Sequence, residues 1–520
     1  MTHFTGNKSL PERIQKRFFA KTTLFAIFCL TQLSGCITPN TPPTTTLPTL
    51  IEQASVTAEE RFEYLLQYSG GRYAADPAAN EYISVIGSRL ARLAGYKLVP
   101  NQFAVVNSDK IDAWVTPQGR VAVSRGMLTI LSNEAELAAL LGHLLTHAAK
   151  QHGAAALARD TQATTALVQQ RAEHHYARYI VGAGLAVLGE QAIRYNAVAE
   201  QVADRAAVTL MVKAGYDPQA AVDLQLKMLS ERKAGLTPWL SHHTANQERL
   251  AATRQQAHSH PAELSLAKNS YQDALKTIFQ YEEAYRQQPQ LQQLIDQNSA
   301  KAAYEQAQKL ILAAPREGRF YALKGDALQQ MGDITGAIEA YNQAVAADRH
   351  YFAYHLRLAE LHALQQATAK TRHALLKSTQ QLPTAKGYFL LAQLAEQQGQ
   401  LTGVKAYYQQ AALSDSVWGR EAAHQAKRLD FDENPNRYLH IKYEKATDGG
   451  IRLFITNLSP FPVMLKTLLL NTDKTYRISL NQKIAAGSSI NPTVTINDLG
   501  PIKEISVDQA ELIPGGSAIP

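Results

Sequence analysis

The chain has 520 residues, of which 45% are hydrophobic and 19% charged, with a formal net charge of +7. That length outruns a single hydrophobic core, so about three or four domains are expected. Two cysteines, Cys29 and Cys36, exclude a disulfide framework in the mature chain, and no basic stripe with interleaved aromatics marks a nucleic-acid surface.

Residues 1–35 read as a secretory signal. Lys8, Arg13, Lys16, Arg17 and Lys21 form a basic region, 22-TTLFAIFCLTQ-32 is an apolar run too short to span a bilayer, and 33-LSGC-36 is a small-residue cleavage site. Leu-Ser-Gly-Cys resembles the lipobox of bacterial lipoproteins, which implies that cleavage leaves Cys36 as a lipid-modified first residue and a membrane anchor. Ile37 follows it and no Asp does; by the same resemblance this implies the outer membrane, facing the periplasm. Residues 36–54, rich in Pro and Thr, are expected to form an extended tether of roughly 3 Å per residue. Removing residues 1–35 takes away five basic side chains and one acid, Glu12, and lowers the net charge from +7 to +3.

Residues 55–262 read as alternating helices with one short strand pair, FAVVN and RVAVS, separated by a turn containing Pro117 and Gly119. The run 133-NEAELAALLGHLLTHAAKQHG-153 is a strong helix signal, with Asn133 as N-cap, Glu136 at the third position and Gly153 as the stop. His143 and His147 are four apart, so both imidazoles project from one face and can bind a single tetrahedral metal ion. Such pairs in helices are more often plain surface or core residues, so the surroundings decide. His152 lies five residues past His147, about 140° around a continuing helix, and is expected to face away. Downstream, 195-YNAVAEQVADRAAVTLMVKAGYDPQAA-220 is a second helix with Glu200 and Asp204 again four apart. Glu200 could supply a third, carboxylate ligand and Asp204 could accept from a ligating histidine. His174 and His175 lie in a polar helical run and read as solvated.

The runs NSDKIDAWVTPQGRVAVSRGML, SNEAELAALLGHxxxH and ExxADR followed by AGYDP resemble the gluzincin metallopeptidases of the HtpX- and BepA-like group, peptidase family forty-eight, over about residues 55–260. The segment 239-WLSHHTANQERLAA-252 is similar to that family's S-T-H-P-x-x-x-x-R-I-A; His243 and Arg249 match, and Thr244 stands where Pro is usual. The resemblance implies a zinc ion bound by His143, His147 and Glu200, with Asp204 orienting the site. His243 is left open as a fourth ligand or a base.

Three positions depart from the family pattern. Leu144 replaces the glutamate that serves as general base in H-E-x-x-H, Asn196-Ala197 replaces Ser-Arg, and Asp112 stands where relatives carry Asn. Leucine can neither take a proton from a metal-bound water nor pass one to a leaving amine, and loss of a general base costs about 10²–10⁴ in rate. Glu136, two turns before His143, is expected to cap its helix and not to replace that base.

From 263 to 430 the chain repeats. Pro315 and Pro383 are 68 residues apart, two periods of 34, with small residues at Gly325, Ala337, Ala344, Ala392 and Ala411. This is the tetratricopeptide pattern, good over 318–351 and degenerate over 352–384, where Thr371 replaces the small alanine. Stacked helix pairs make a concave surface for peptide or protein clients. Residues 436–520 alternate in short runs (438–444, 451–457, 462–470, 475–480, 492–498) and read as a small β-sandwich.

The expected architecture is therefore multidomain and mainly α: a gluzincin-like metallopeptidase domain (α+β), an α-solenoid of helical repeats and a C-terminal β-sandwich. The expected function is that of a periplasm-facing lipoprotein of the zinc metalloendopeptidase family, impaired in proteolysis, that binds protein clients in envelope quality control or assembly. Its setting rests on family analogy. Two alternatives stay open: an active zinc metalloendopeptidase with a substitute base, and a metal-free structural scaffold.

Overall fold

Capping signals written in the sequence set where the first helices start. In the computed structural model, which describes residues 57–159, 193–234, 239, 242–260, 264–400, 403–445, 450–496 and 500–513, Thr57 and Glu60 form a reciprocal capping box before α1 (Ala58–Ser69). Asp76 caps α2 (Pro77–Leu93), with Pro77 in the first turn. The signal and tether, with Cys36, and His174 and His175 lie outside the described residues. Among the described residues no helix is long and apolar enough to cross a membrane. The chain divides into two compact units, one ending at Pro383 and one beginning at Thr384.

In the first unit a three-stranded sheet follows α2: β1 (Phe103–Val106), β2 (Ala113–Val115) and β3 (Val121–Ser124), in the order β1-β3-β2. β1 runs parallel to β3, with Phe103 opposite Val121, and β2 runs antiparallel to it, with Ala113 opposite Val123. Every residue of β1 and β3 is buried, so both read as unbroken apolar runs without alternation. The single strand pair expected from sequence is thereby corrected. Ala113–Val115, too short to show a period, is a third strand, and the Pro117–Gly119 turn closes β2 onto β3, while FAVV pairs in parallel with β3 on its other side.

After the short α3 (Arg125–Ile130), α4 (Glu134–Ala149) runs through the centre of this unit, buried without interruption from Ala135 to His147. An all-round apolar helix of this kind needs a close partner on every side. α6 (Ala197–Lys213) is one such partner: Gly142 lets it approach so closely that a Cβ there would sit 3.2 Å from the Ala207 Cα. Between them in sequence lies α5 (His152–Arg159); α7 (Gln219–Ala234) also packs on α4, and α8 (Gln247–His258) packs against α6 and α7.

Further helices follow: α9 (Lys268–Ala274), α10 (Lys276–Asp296) and α11 (Ala300–Ala313), then the pairs α12 (Gly318–Gln330) with α13 (Ile334–Ala347), and α14 (Phe352–Leu364) with α15 (Thr368–Gln381). α12 and α14 start 34 residues apart, as the repeat period requires. Gly325 faces Tyr341, and a Cβ there would lie 2.6 Å from that ring. In the degenerate repeat Thr371 is buried, and its hydroxyl donates back to the Ala367 carbonyl at 3.1 Å. One apolar core runs from Tyr73 through α4 and α10 to Ala327 in α12. It is reinforced where Asn107 Nδ2 donates to both Glu317 oxygens at 3.1 Å and Tyr285 donates its hydroxyl to Glu317 at 2.7 Å.

The second unit holds α16 (Ala385–Gln397), α17 (Val404–Ala411) and α18 (Val417–Glu433), then two antiparallel sheets. One contains β4 (Leu439–Lys445), β5 (Ile451–Asn457) and the two-residue strands β8 (Ser489–Ile490) and β9 (Thr493–Val494); the other is ordered β10-β6-β7, from β6 (Val463–Asn471), β7 (Thr475–Ile484) and β10 (Glu504–Leu512). Leu453, Ile455, Leu465 and Leu468 belong to one core shared by both sheets, the arrangement of a small sandwich. β10 is not legible in the sequence because register shifts at Val507, Gln509 and Ala510 break its alternation.

Candidate metal centre

α4 presents His143 and His147 one turn apart, α6 presents Glu200 and Asp204, and the coil before α8 brings His243 to the same point. His143 Nε2 is 3.1 Å from His147 Nε2 and 3.1 Å from His243 Nδ1. Glu200 Oε1 is 3.2 Å from His147 Nε2 and 3.0 Å from His243 Nδ1. His143, His147, Glu200 and His243 are buried and each offers one ligand atom, all within 4.8 Å of one another. A tetrahedral zinc with bonds of about 2.0–2.1 Å separates its ligand atoms by roughly 3.3 Å. The donor types and their spacing therefore fit a zinc ion.

The ionisation states fit as well. Burial pushes the imidazole of His147 well below its ordinary value, and pushes that of His243 down to about 4, so both are neutral at neutral pH, as ligation requires. Burial opposes the charge on Glu200, but His243 and His147 outweigh it and hold the carboxyl well below the usual carboxylate range. Its second oxygen is paired with Arg249. Burial likewise opposes the charge on Asp204, and hydrogen bonds from His143 and Arg249 hold that carboxyl down.

The four side chains are supported from behind. His143 Nδ1 lies 3.0 Å from Asp204 Oδ1, the outer acceptor expected for a ligating histidine. Asn246 caps α8 by accepting from the Arg249 N–H at 2.8 Å, which fixes Arg249 in the first turn, facing Asp204 and Glu200. Trp239 lies flat on His243, with ring centroids 3.9 Å apart at 16°. Tyr195 packs on His147 at 3.6 Å. The backbone of this segment is tied down too: His243 N–H donates to the Trp239 carbonyl at 2.9 Å, Trp239 N–H to Ile111 at 3.2 Å, and the His242 ring to Ile193 at 2.7 Å. A cavity of about 20 Å³, room for roughly one water molecule, lies beside His143 between Leu140, Gln225, Trp239 and Thr253.

Two expectations for this helix are corrected. His152 does not face away: its Nδ1 is 3.1 Å from His147 Nδ1. The helix ends at Ala149, before Gly153, and Gln151 turns the chain with φ +52° so that His152 opens α5. The 140° estimate assumed a helix that continues. Sequence reasoning also missed Trp239 and Tyr195, which lie outside any periodic segment. Arg249 was visible only as a motif match.

Other expected residues have structural duties. Glu136 accepts from the Ser132 N–H at 3.0 Å and from Asn133 Nδ2 at 3.2 Å, and pairs with Lys227 at 2.5 Å, so it is engaged at the helix start. Asn196 caps α6 by accepting from the Ala199 N–H at 2.8 Å. Asp112 N–H donates to Ser124 Oγ at 3.1 Å. Leu144 is fully buried in the apolar core.

Residues 77–261 match peptidase family M48, and residues 318–351 match a tetratricopeptide repeat. The beta-barrel assembly-enhancing protease of Escherichia coli (strain K12) is 27% identical over 218 residues, which are 40% of this chain and 45% of that protein. The protein of that name from Yersinia pestis is 26% identical over 192 residues, 35% of this chain and 40% of the relative. The putative beta-barrel assembly-enhancing protease of Vibrio cholerae serotype O1 is 28% identical over 196 residues, 36% and 40% of the two chains. The alignments thus span less than half of these relatives' own length. With three members of a histidine and glutamate cluster on two neighbouring helices and the fourth on the coil before α8, and a 34-residue helix pair later in the chain, residues 77–261 are a peptidase family M48 domain and residues 318–351 a tetratricopeptide repeat.

Proposed function

We propose that this chain is a periplasm-facing lipoprotein, anchored through Cys36, whose M48 domain holds one zinc ion but hydrolyses peptide bonds poorly or not at all. Its helical repeats hold protein clients in envelope assembly or quality control. The names of the relatives, which enhance β-barrel assembly, support that setting, as does the repeat. The observation that carries the catalytic half is the contrast at one helix turn. His143, His147, Glu200 and His243 converge with ligand spacing, while position 144 is an apolar side chain buried in the core.

In this reading His143, His147 and Glu200 hold the metal, and His243 stands at the fourth position, which it would have to yield to water or a carbonyl for any hydrolysis. When bound, zinc would polarise a carbonyl and lower the pKa of water. The chain's own residues would then have to move the proton. Leu144 has no group to do so. Among the described residues Glu200 and Asp204 are both paired with Arg249, and Glu136 is held at the helix start. What remains is a site that keeps its ligands and lacks a base.

The test compares wild type, Leu144→Glu and His143→Ala for bound metal and for degradation of an unfolded protein, with and without chelator. One zinc per wild-type chain, near-background cleavage, and a chelator-sensitive gain of about 10²-fold or more in Leu144→Glu are expected. Robust wild-type cleavage abolished by His143→Ala would instead identify a working peptidase with a substitute base. A metal-free wild type would identify a scaffold.

A further inference from the structure

We propose that His152 is a positioning residue of the metal centre, holding His147 as Asp204 holds His143; this deepens the metal-site reading above and rests on it. The two helices α4 and α5 meet at a turn that carries Gln151 at φ +52°, a left-handed conformation that side-chain-bearing residues seldom adopt. Such backbone persists where the surroundings over-determine it, and often at functional sites. Its effect here is specific. It ends α4 three residues before His152, at Ala149, and returns that ring to α4, with its Nδ1 3.1 Å from His147 Nδ1 and the ring planes at 73°.

The proton count follows from the geometry. His147 turns Nε2 toward His143 and Glu200, so that nitrogen must be unprotonated to ligate, and the proton of the neutral ring sits on Nδ1. His147 Nδ1–H then donates to His152 Nδ1, which fixes the proton of a neutral His152 on its own Nε2. Each histidine of α4 thus has its second nitrogen engaged by a buried or half-buried acceptor, a carboxylate for His143 and an imidazole for His147. Outer partners of this kind set the tautomer and orientation of a ligand, and their loss costs about 10–100-fold in metal affinity.

The experiment measures zinc affinity by competition with a chelating dye, and the visible spectrum of the cobalt-loaded protein, for wild type, His152→Ala and His152→Gln. His152→Ala is expected to bind zinc about 10–100-fold more weakly and to shift the cobalt spectrum. His152→Gln, whose amide oxygen can accept from His147, is expected to recover part of the affinity and to serve if the alanine variant fails to fold. Wild-type affinity in His152→Ala would overturn the proposal while leaving the metal site intact, as would a lower melting temperature of the metal-free variant with unchanged affinity. A wild type that binds neither metal would overturn the metal-site reading itself, and this proposal with it.

Discussion

Arg249 grips Asp204 with two hydrogen bonds, from Nε to Oδ2 at 2.7 Å and from Nη2 to Oδ1 at 2.8 Å, and the same guanidinium pairs with Glu200. One buried cation therefore compensates two buried carboxylates from the same helix face. Removing it would strand both. Arg249→Met is expected to lower stability by about 3–5 kcal/mol, the cost of breaking a buried pair from one side. Arg249→Lys should recover little, because an ammonium cannot reproduce the two-pronged geometry. Urea unfolding of the three proteins checks this. A methionine variant within 1 kcal/mol of wild type, to order of magnitude, would mean that the carboxylates find their charge balance elsewhere.

His243 is stacked on Trp239, so the indole is a built-in reporter of what that imidazole binds. Loading metal is expected to change tryptophan emission, and Trp239→Phe to remove most of the change. If His243 is the fourth donor, as proposed, His243→Ala should lower zinc affinity by at least the roughly 10-fold that loss of an outer partner costs. Unchanged affinity would hand the fourth position to water.

Acid should destabilise the metal-free protein in two stages. His147 and His243 are kept neutral by burial, His243 down to about 4 from 6.5. Unfolding releases both to bind protons, so as pH falls below 6.5 the unfolded chain gains protons that the native state refuses. Native stability should decline toward pH 4, by about 3 kcal/mol for His243 alone. Glu200 and Asp204 act lower on the scale. Their carboxyls are depressed in the fold against the pull of burial, so their contribution is complete above their unfolded values and lost as pH falls through the folded ones. Urea midpoints of chelated protein from pH 8 to pH 3 give the profile. A flat line between 6.5 and 4.5 would contradict the burial of neutral histidines.

Gly325 tests the repeat independently of the site. A methyl group there would lie 2.6 Å from Tyr341, a fully packed ring whose hydroxyl donates to Asp326 at 2.7 Å and which has no room to swing aside. Gly325→Ala should cost about 1–3 kcal/mol, the usual penalty of overpacking, despite the better helix propensity of alanine. Calorimetric melting checks it.

Much of this was legible in the chain. Spacing of four brought His143 with His147 and Glu200 with Asp204 onto shared helix faces, since helical period is a local property. The period of 34 marked the repeats for the same reason. Illegible features depended on backbone events without a side-chain signature. No residue type announces that Gln151 will adopt a left-handed turn and swing His152 back. The bulges in β10 erase the alternation that would have revealed it, and Ala113–Val115 is too short to have any. Trp239 and Tyr195 meet the site only through tertiary packing, which a periodic reading cannot reach.

The core that runs unbroken from Tyr73 to Ala327, sealed by Asn107 on Glu317, governs how this chain can be dissected. The M48 match ends at residue 261, but the packing does not. A truncation at that point would bare the apolar surface that Tyr271, Ile278, Tyr285 and Phe320 cover, and the fragment would be prone to aggregate. Peptidase-like domain and first repeat should also melt in a single cooperative transition. For this protein the smallest piece worth expressing is set by where the packing ends, and that lies well past the family boundary.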